Sequence, residues 1–264
     1  MRSYRLAFLL SIPITCAAQI PAGFGATPIF DEEFNGSSLD TSVWTYRTGV
    51  RDQCLQVPNA VTVAHGYARI SIYSGEGDDG KPANYCGSIT TKDHFLHSYG
   101  YWEAAVRYQY QPAIQCAWWI QSPTIGRDVD DPQRSGVEFD IFEHTSGNLK
   151  PEGFDHALHW NGYKQGVHKP LGHNGTLRDL NDGKFHVFGF GWTPGAYTFY
   201  VNGQVEWTVT SAEAPISAAP EFVILDVELP ARAKVPAGGY GPLGSPQNAY
   251  LDVDYVRVYP YAKR

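Results

Sequence analysis

Residues 136–144 read GVEFDIFEH and place three carboxylates close together: Glu138, Asp140 and Glu143. Two carboxyl groups flanking a glycosidic bond suffice to hydrolyse it. One stays ionised and attacks the anomeric carbon, while the other stays protonated and releases the leaving oxygen. The protonated one needs a raised pKa, which burial or a neighbouring like charge supplies. A middle Asp fits between them, because it can hydrogen-bond the attacking group and its charge disfavours ionisation of its neighbours. The competing readings are a solvated strand face and a calcium site built from acids. Calcium ligands usually sit in Gly-rich Asp/Asn loops, whereas Val137, Phe139, Ile141 and Phe142 make this segment strand-like.

The positions of the three acids set a requirement on the backbone. A strand alternates its faces at every residue, so Glu138 and Asp140 share a face and Glu143 falls on the other. One β-bulge between Asp140 and Glu143 absorbs a residue and returns Glu143 to the shared face. The surrounding chain supplies strands to hold such a segment. Residues 60–74 alternate on both sides of His65-Gly66, which predicts a hairpin. Residues 185–210 hold three strands, with turns at Thr193-Pro194-Gly195 and Asn202-Gly203. Further strands are expected at 99–110, 116–122, 156–160, 221–229 and 249–261. No long amphipathic helix is found, although 37–44 and 211–214 allow a turn or two. About a dozen short strands at even spacing predict an all-β sandwich or barrel.

Composition narrows the ligand. The 264 residues carry a net charge of −7 and 14 % aromatics, with 7 Trp and 17 Tyr. An acidic surface excludes nucleic acid as the expected partner, and an aromatic-rich one suits a neutral polymer. The first residues carry Arg2 and Arg5, an apolar run from Leu6 to Ile14, then small residues. This is the layout of a secretory leader and too short to span a bilayer. Cys16 and Ala18 stand at −3 and −1 of a cut before Gln19, which gives a leader at 1–18 and one domain at 19–264. The alternative is a lipid anchor at Cys16, which Thr15 disfavours. The expected product is an exported, periplasmic or extracellular monomer without contact to a membrane beyond that anchor. Three cysteines remain after such a cut. Cys54–Cys86 is the preferred bridge, and spacing does not exclude Cys116 as a partner. No Cys/His spacing resembles a zinc site. Asn35-Gly-Ser and Asn174-Gly-Thr are glycosylation sequons.

The acids and their surroundings resemble family 16 of the glycoside hydrolases. Glu138, Asp140 and Glu143 match its E-x-D-x-x-E signature in the bulged form of laminarinases, agarases and carrageenases. Residues 29–46, 87–108, 116–120, 185–203 and 253–259 look like further blocks of that family in the same order. The resemblance covers nearly all of the chain after the leader. It implies a concanavalin-like β-jelly-roll of two antiparallel sheets with the acids facing a cleft. It also implies Glu138 as nucleophile, Asp140 as its assistant and Glu143 as general acid and then base, in a retaining reaction that needs no cofactor. The implied substrate is β-1,3- or mixed β-1,3/1,4-glucan, with a galactan such as agarose or carrageenan as the alternative. A non-catalytic lectin on the same fold is a third reading, disfavoured because all three acids are present.

Other residues carry more open readings. Trp118 and Trp119 are adjacent and point to opposite faces; the resemblance makes Trp119 the cleft residue. Trp102, beside Tyr101, is a second candidate for sugar stacking against a core role. Arg107 either enters the cleft or pairs with a carboxylate. His159 is expected beside Asp140, with a satisfied core histidine as the alternative, while His144 faces away from the acids. Asn59 matches an Asn at the family's cleft edge, and Trp160 is placed beside the same groove. Glu33 and Asp254 match positions that hold a structural calcium in many relatives. Two departures bear on substrate choice. Ile114-Gln115-Cys116-Ala117 replaces a Trp-Pro-Ala run, and residues 122–136 form a long polar loop before the acids.

Overall fold

Where polarity alternates along the chain, burial alternates with it. Residues 196–201 read AYTFYV and bury every second side chain, whereas 222–228 read FVILDVE and bury all seven. The computed structural model describes residues 19–262. The expected leader at 1–18 lies outside the described residues. Eighteen strands are found among them: β1 Phe30–Glu32, β2 Thr45–Tyr46, β3 Gly49–Arg51, β4 Cys54–Gln56, β5 Val61–Ala64, β6 Tyr67–Glu76, β7 Pro82–Cys86, β8 Ser88–Thr90 and β9 Gly100–Gln109 in the first half. The second half holds β10 Gln115–Gln121, β11 Val137–Thr145, β12 Gly153–Trp160, β13 Lys169–Thr176, β14 His186–Trp192, β15 Ala196–Val201, β16 Gln204–Thr210, β17 Phe222–Glu228 and β18 Ala249–Tyr259.

These strands form two sheets. The outer sheet has eleven strands, running β16-β15-β14-β9-β18-β6-β7-β4-β3 with β1 and β5 attached to β18 and β6. The inner sheet has seven, in the order β13-β12-β11-β10-β17-β8-β2. All pairings are antiparallel except that of β4 with β7. The expected two-sheet β-sandwich is therefore present, with more strands than the dozen expected. Most of the extra ones are two or three residues long, too short to display a period; β7, with five residues, and β13, with eight, lack an alternation of polar and apolar residues. The expected hairpin turns carry left-handed residues, His65 and Gly66 in one, Asn202 and Gly203 in the other. The primed turns that suit the twist of paired strands need that conformation. Residues 37–44 and 211–214 form turns and bends, and the helix α1 Pro132–Ser135 lies in the long loop before β11.

The core between the sheets decides how β11 is held. Phe139 and Phe142 point inward and meet Phe190 and Phe188 of β14, with ring centroids 4.7 and 4.6 Å apart. All four rings are fully buried. Truncating one such ring typically costs about 3–5 kcal/mol, so the back of β11 is fixed firmly. Trp118 also points inward and donates from Nε1 to the Phe188 carbonyl at 3.3 Å. Cys54 and Cys86 form the disulfide between β4 and β7, and Cys116 is buried and free.

Candidate active site

The central segment of the inner sheet contains the bulge that the acids require. Opposite β12, Asp140 pairs with Ala157 and Glu143 with Asp155, so three steps on β11 match two on its partner. Opposite β10, Asp140 pairs with Trp119 and Phe142 with Trp118, so two steps match one. Ile141 is the additional residue. Its carbonyl is met by the His156 Nδ1 at 2.7 Å, which satisfies backbone that the ladder leaves free. As a result Glu138, Asp140 and Glu143 all line one cleft of about 540 Å³. Phe139 and Phe142 remain on the core side.

The cleft floor follows the same alternation on neighbouring strands. Gln115, Ala117, Trp119 and Gln121 of β10 face it, as do Asp226 and Glu228 of β17 and His159 of β12. Trp119 donates from Nε1 to Asp226 at 3.2 Å, and Trp118 packs the core, so the two tryptophans divide as expected. His159 stands in the expected place, with Nε2 3.1 Å from Asp140 Oδ2. Its Nδ1 lies 2.9 Å from Nε2 of His168, on the loop between β12 and β13. That loop also supplies Tyr163, whose hydroxyl donates to Glu138 Oε2. Gln121 donates to the same oxygen. Arg47 and Arg51 enter at one end, but each is paired, Arg47 with Asp226 at 3.3 Å and Arg51 with Glu228.

Burial raises all three acids. Burial pushes Glu138 up to about 7, and the charge of Asp140 adds to this; the hydrogen bond from Tyr163, the nearby His159 and the hydrogen bond from Gln121 act against it. Burial and then Asp140 push Glu143 up to about 8, opposed chiefly by a hydrogen bond from Thr145. Asp140 is raised as well, by burial first and then by Asp155 and Glu228. A carboxyl raised in this way can hold a proton near neutral pH, as a general acid must. Glu138, Asp140 and His159 offer three donor atoms within 4.8 Å of one another. Within this group His159 is bound to Asp140, and Oε2 of Glu138 accepts from Gln121 and Tyr163.

Several expected site residues stand elsewhere. Arg107 lies on β9 of the outer sheet and is bound to Asp252 at 2.6 Å, so the paired alternative holds. Trp102 is fully buried and donates to the Tyr99 carbonyl, so it is core and not a sugar platform. Trp160 follows His159 in the strand and so faces away from the cleft, packing against the core instead. Asn59 is exposed in the 3₁₀ turn at Pro58–Ala60 and is not among the cleft residues. His144 is buried on the face opposite the acids, as expected, with Nδ1 2.8 Å from the Gly153 carbonyl. Glu33, one of the two residues expected to hold a calcium, is already paired. The Arg257 guanidinium sits 2.6 Å from the Glu33 oxygen, where a cation would bind.

Sequence reasoning missed Tyr163, Gln121, His168, Arg47, Arg51, Asp226 and Glu228. Asp226 and Glu228 carried a visible signal, two acids at a period of two within an apolar strand, the pattern that drew attention to Glu138 and Asp140.

Comparisons with known proteins agree with this geometry. The model of the family described as Glycosyl hydrolases family 16 matches residues 49–231, well over half of the chain. The glucan endo-1,3-beta-glucosidase A1 of Niallia circulans is 26 % identical over 278 residues, covering 90 % of this chain and 38 % of that protein. The chain thus spans well under half the length of that relative. The catalytic domain of an endo-1,3-beta-glucanase (laminarinase) from Thermotoga petrophila superposes with a TM-score of 0.69 at 20 % identity, covering 90 % of this chain and 98 % of that one. Porphyranase B from Zobellia galactanivorans superposes equally well, at 0.69 and 18 % identity, covering 88 % and 91 %. Likeness at this level establishes the fold and does not distinguish the two substrates.

Proposed function

Because the chain belongs to family 16 of the glycosyl hydrolases, we propose that it is an exported, retaining endo-hydrolase of β-1,3- or mixed β-1,3/1,4-glucan. The bulge that brings Glu138, Asp140 and Glu143 onto one cleft face carries this reading. In the first step Glu143 gives its proton to the glycosidic oxygen as that bond to the anomeric carbon breaks. Glu138 forms the new bond to the same carbon, giving a covalent glycosyl-enzyme. Glu143, now ionised, takes a proton from water, which displaces Glu138 and restores both carboxyls. Asp140, held by His159, supplies negative charge beside the positive charge that builds on the sugar.

The character of the cleft supports a neutral glucan. Both of its arginines are matched by carboxylates of β17, which leaves little unpaired positive charge for a sulfated polymer. Trp119 lines the cleft, and the curated relative named above is a glucan hydrolase. The alternative, a galactan hydrolase, draws on the equal likeness to the porphyranase. Offering laminarin, lichenan, agarose and carrageenan in parallel tests the reading. Reducing ends released from the two glucans, and lost in Glu138→Gln, are expected. Release from agarose or carrageenan alone selects the alternative, and binding without release from any of the four selects a lectin. The anomeric configuration of the first product, followed by NMR, tests retention; net inversion removes Glu138 from the nucleophile role.

A further inference from the structure

The two oxygens of Glu138 are not equivalent. Oε2 accepts from both Gln121 Nε2 and the Tyr163 hydroxyl. Oε1 accepts no hydrogen bond from the described residues. Gln121 Nε2 also donates to the Tyr163 oxygen at 2.8 Å, so the three groups close a triangle. Gln121 ends β10 on the same face as Trp119, and its position is fixed by the sheet. Tyr163 comes from the β12–β13 loop. The residue is 56 % exposed, yet its hydroxyl reaches the buried carboxyl.

From this triangle we infer that Tyr163 is a positioning residue of the reaction: with Gln121 it holds Oε2 of Glu138 and dedicates Oε1 to the anomeric carbon. The inference rests on the nucleophile role proposed above. Hydrogen bonds to an ionised oxygen stabilise the charged form. The groups facing Glu138 otherwise work in both directions. Asp140 on its own strand and Glu221 at the head of β17 oppose its charge, while His159 on β12 favours it. When Oε1 bonds to the sugar, Oε2 becomes the ester carbonyl and loses its charge. When water displaces the enzyme, charge returns to Oε2, where the two donors already stand. The two donors therefore keep Glu138 ionised and oriented before the attack, and stabilise it as the leaving carboxylate when it is released.

The loop that carries Tyr163 is itself braced. Gly162 packs against Gly126 of the long loop between β10 and β11, both in left-handed conformation. A Cβ built on Gly126 would lie 2.7 Å from the Gly162 Cα. His168, five residues further on, meets His159. The segment is thus anchored on both sides of Tyr163.

Tyr163→Phe keeps the ring and removes the hydroxyl. Its test is a ¹³C NMR titration of the Glu138 carboxyl in free protein, alongside the pH profile of kcat/KM on laminarin. The midpoint of Glu138 and the acid limb of the profile are both expected to move up by about one pH unit, from the usual strength of a hydrogen bond to a charged group. Gln121→Met should move them in the same direction, with unchanged thermal unfolding. If the wild-type protein hydrolyses laminarin and Tyr163→Phe leaves both midpoints in place, the inference is overturned and the function stands. If the wild type hydrolyses no glycan while the Glu138 midpoint still moves, the proposed function fails and the hydrogen-bond triangle remains.

Discussion

Two clusters of buried acid lie on opposite sheets and are built in opposite ways. On the outer sheet Asp252 is fully buried and grips two arginines, Arg69 at 2.7 Å and Arg107 at 2.6 Å. The guanidiniums in turn lie against Tyr250 at 3.8 Å and Phe185 at 4.4 Å. Every charge there has a partner. On the inner sheet Glu138 and Asp140 are nearly as buried, and the groups that reach them are an amide, a phenol and an imidazole. Among the described residues, no arginine or lysine is paired with either of them. Acids buried with cations hold a structure together, while acids buried with neutral donors keep a raised and usable pKa.

Substitution of the two clusters should therefore separate activity from stability. Glu138→Gln is expected to lower kcat/KM on laminarin by about 10⁴-fold or more, and Glu143→Gln by about 10²–10⁴-fold. Both should unfold at or above the wild-type temperature, because each removes a strained buried carboxyl. Asp252→Asn should do the reverse. It strands two half-exposed arginines and should cost about 3 kcal/mol in denaturant unfolding, with kcat unchanged in the folded fraction. If Asp252→Asn lowered kcat as much as Glu143→Gln, the contrast between the clusters would collapse.

A gentler probe of the same contrast is pH. Glu138 and Glu143 are raised in the folded protein to about 7 and about 8. Unfolded glutamates titrate near 4.3. Between those values the folded chain binds more protons than the unfolded one, so stability falls as pH rises. The contribution is fully present below about pH 4.5 and has gone above about pH 8. Unfolding temperature measured across this window should fall for wild type, and the fall should flatten in the Glu138→Gln, Glu143→Gln double variant. A wild-type slope that persists in the double variant would assign it to other groups.

The smallest expected effect concerns the contact of the two loops. Gly162→Ala forces a Cβ to 3.0 Å from the Gly126 Cα at a backbone φ of +69°. A displacement of Tyr163 by a fraction of an ångström should reduce kcat by about tenfold, with KM nearly constant. An unchanged kcat would mean that the loop tolerates movement without disturbing Glu138.

How much of this was legible in the sequence depended on how local the cause was. The bulge was readable because its evidence, the two-then-three spacing, lies within six residues. The primed turns at His65-Gly66 and Asn202-Gly203 were readable for the same reason, and the Cys54–Cys86 bridge was the preferred pairing. Arg107 shows the limit. Its strand was clear, but the sheet that strand joins depends on pairing with β14 and β18, far along the chain. Trp102 and Trp160 failed in the same way, since alternation tells which residues share a face and not which face meets the cleft. Tyr163 had no local signal at all. It sits in a loop without period, and its partner is twenty-five residues earlier.

The meeting of Gly126 and Gly162 bears on how such a protein can be altered. The loop before β11 and the loop after β12 touch through bare backbone, so there is no side chain between them to absorb a change in either. Shortening one, or replacing it with the corresponding loop of a relative, would leave the other without its support. A graft intended only to widen the cleft would then also reset the nucleophile. Changes of substrate range by loop exchange should accordingly succeed when both loops are transplanted together and fail when either is moved alone.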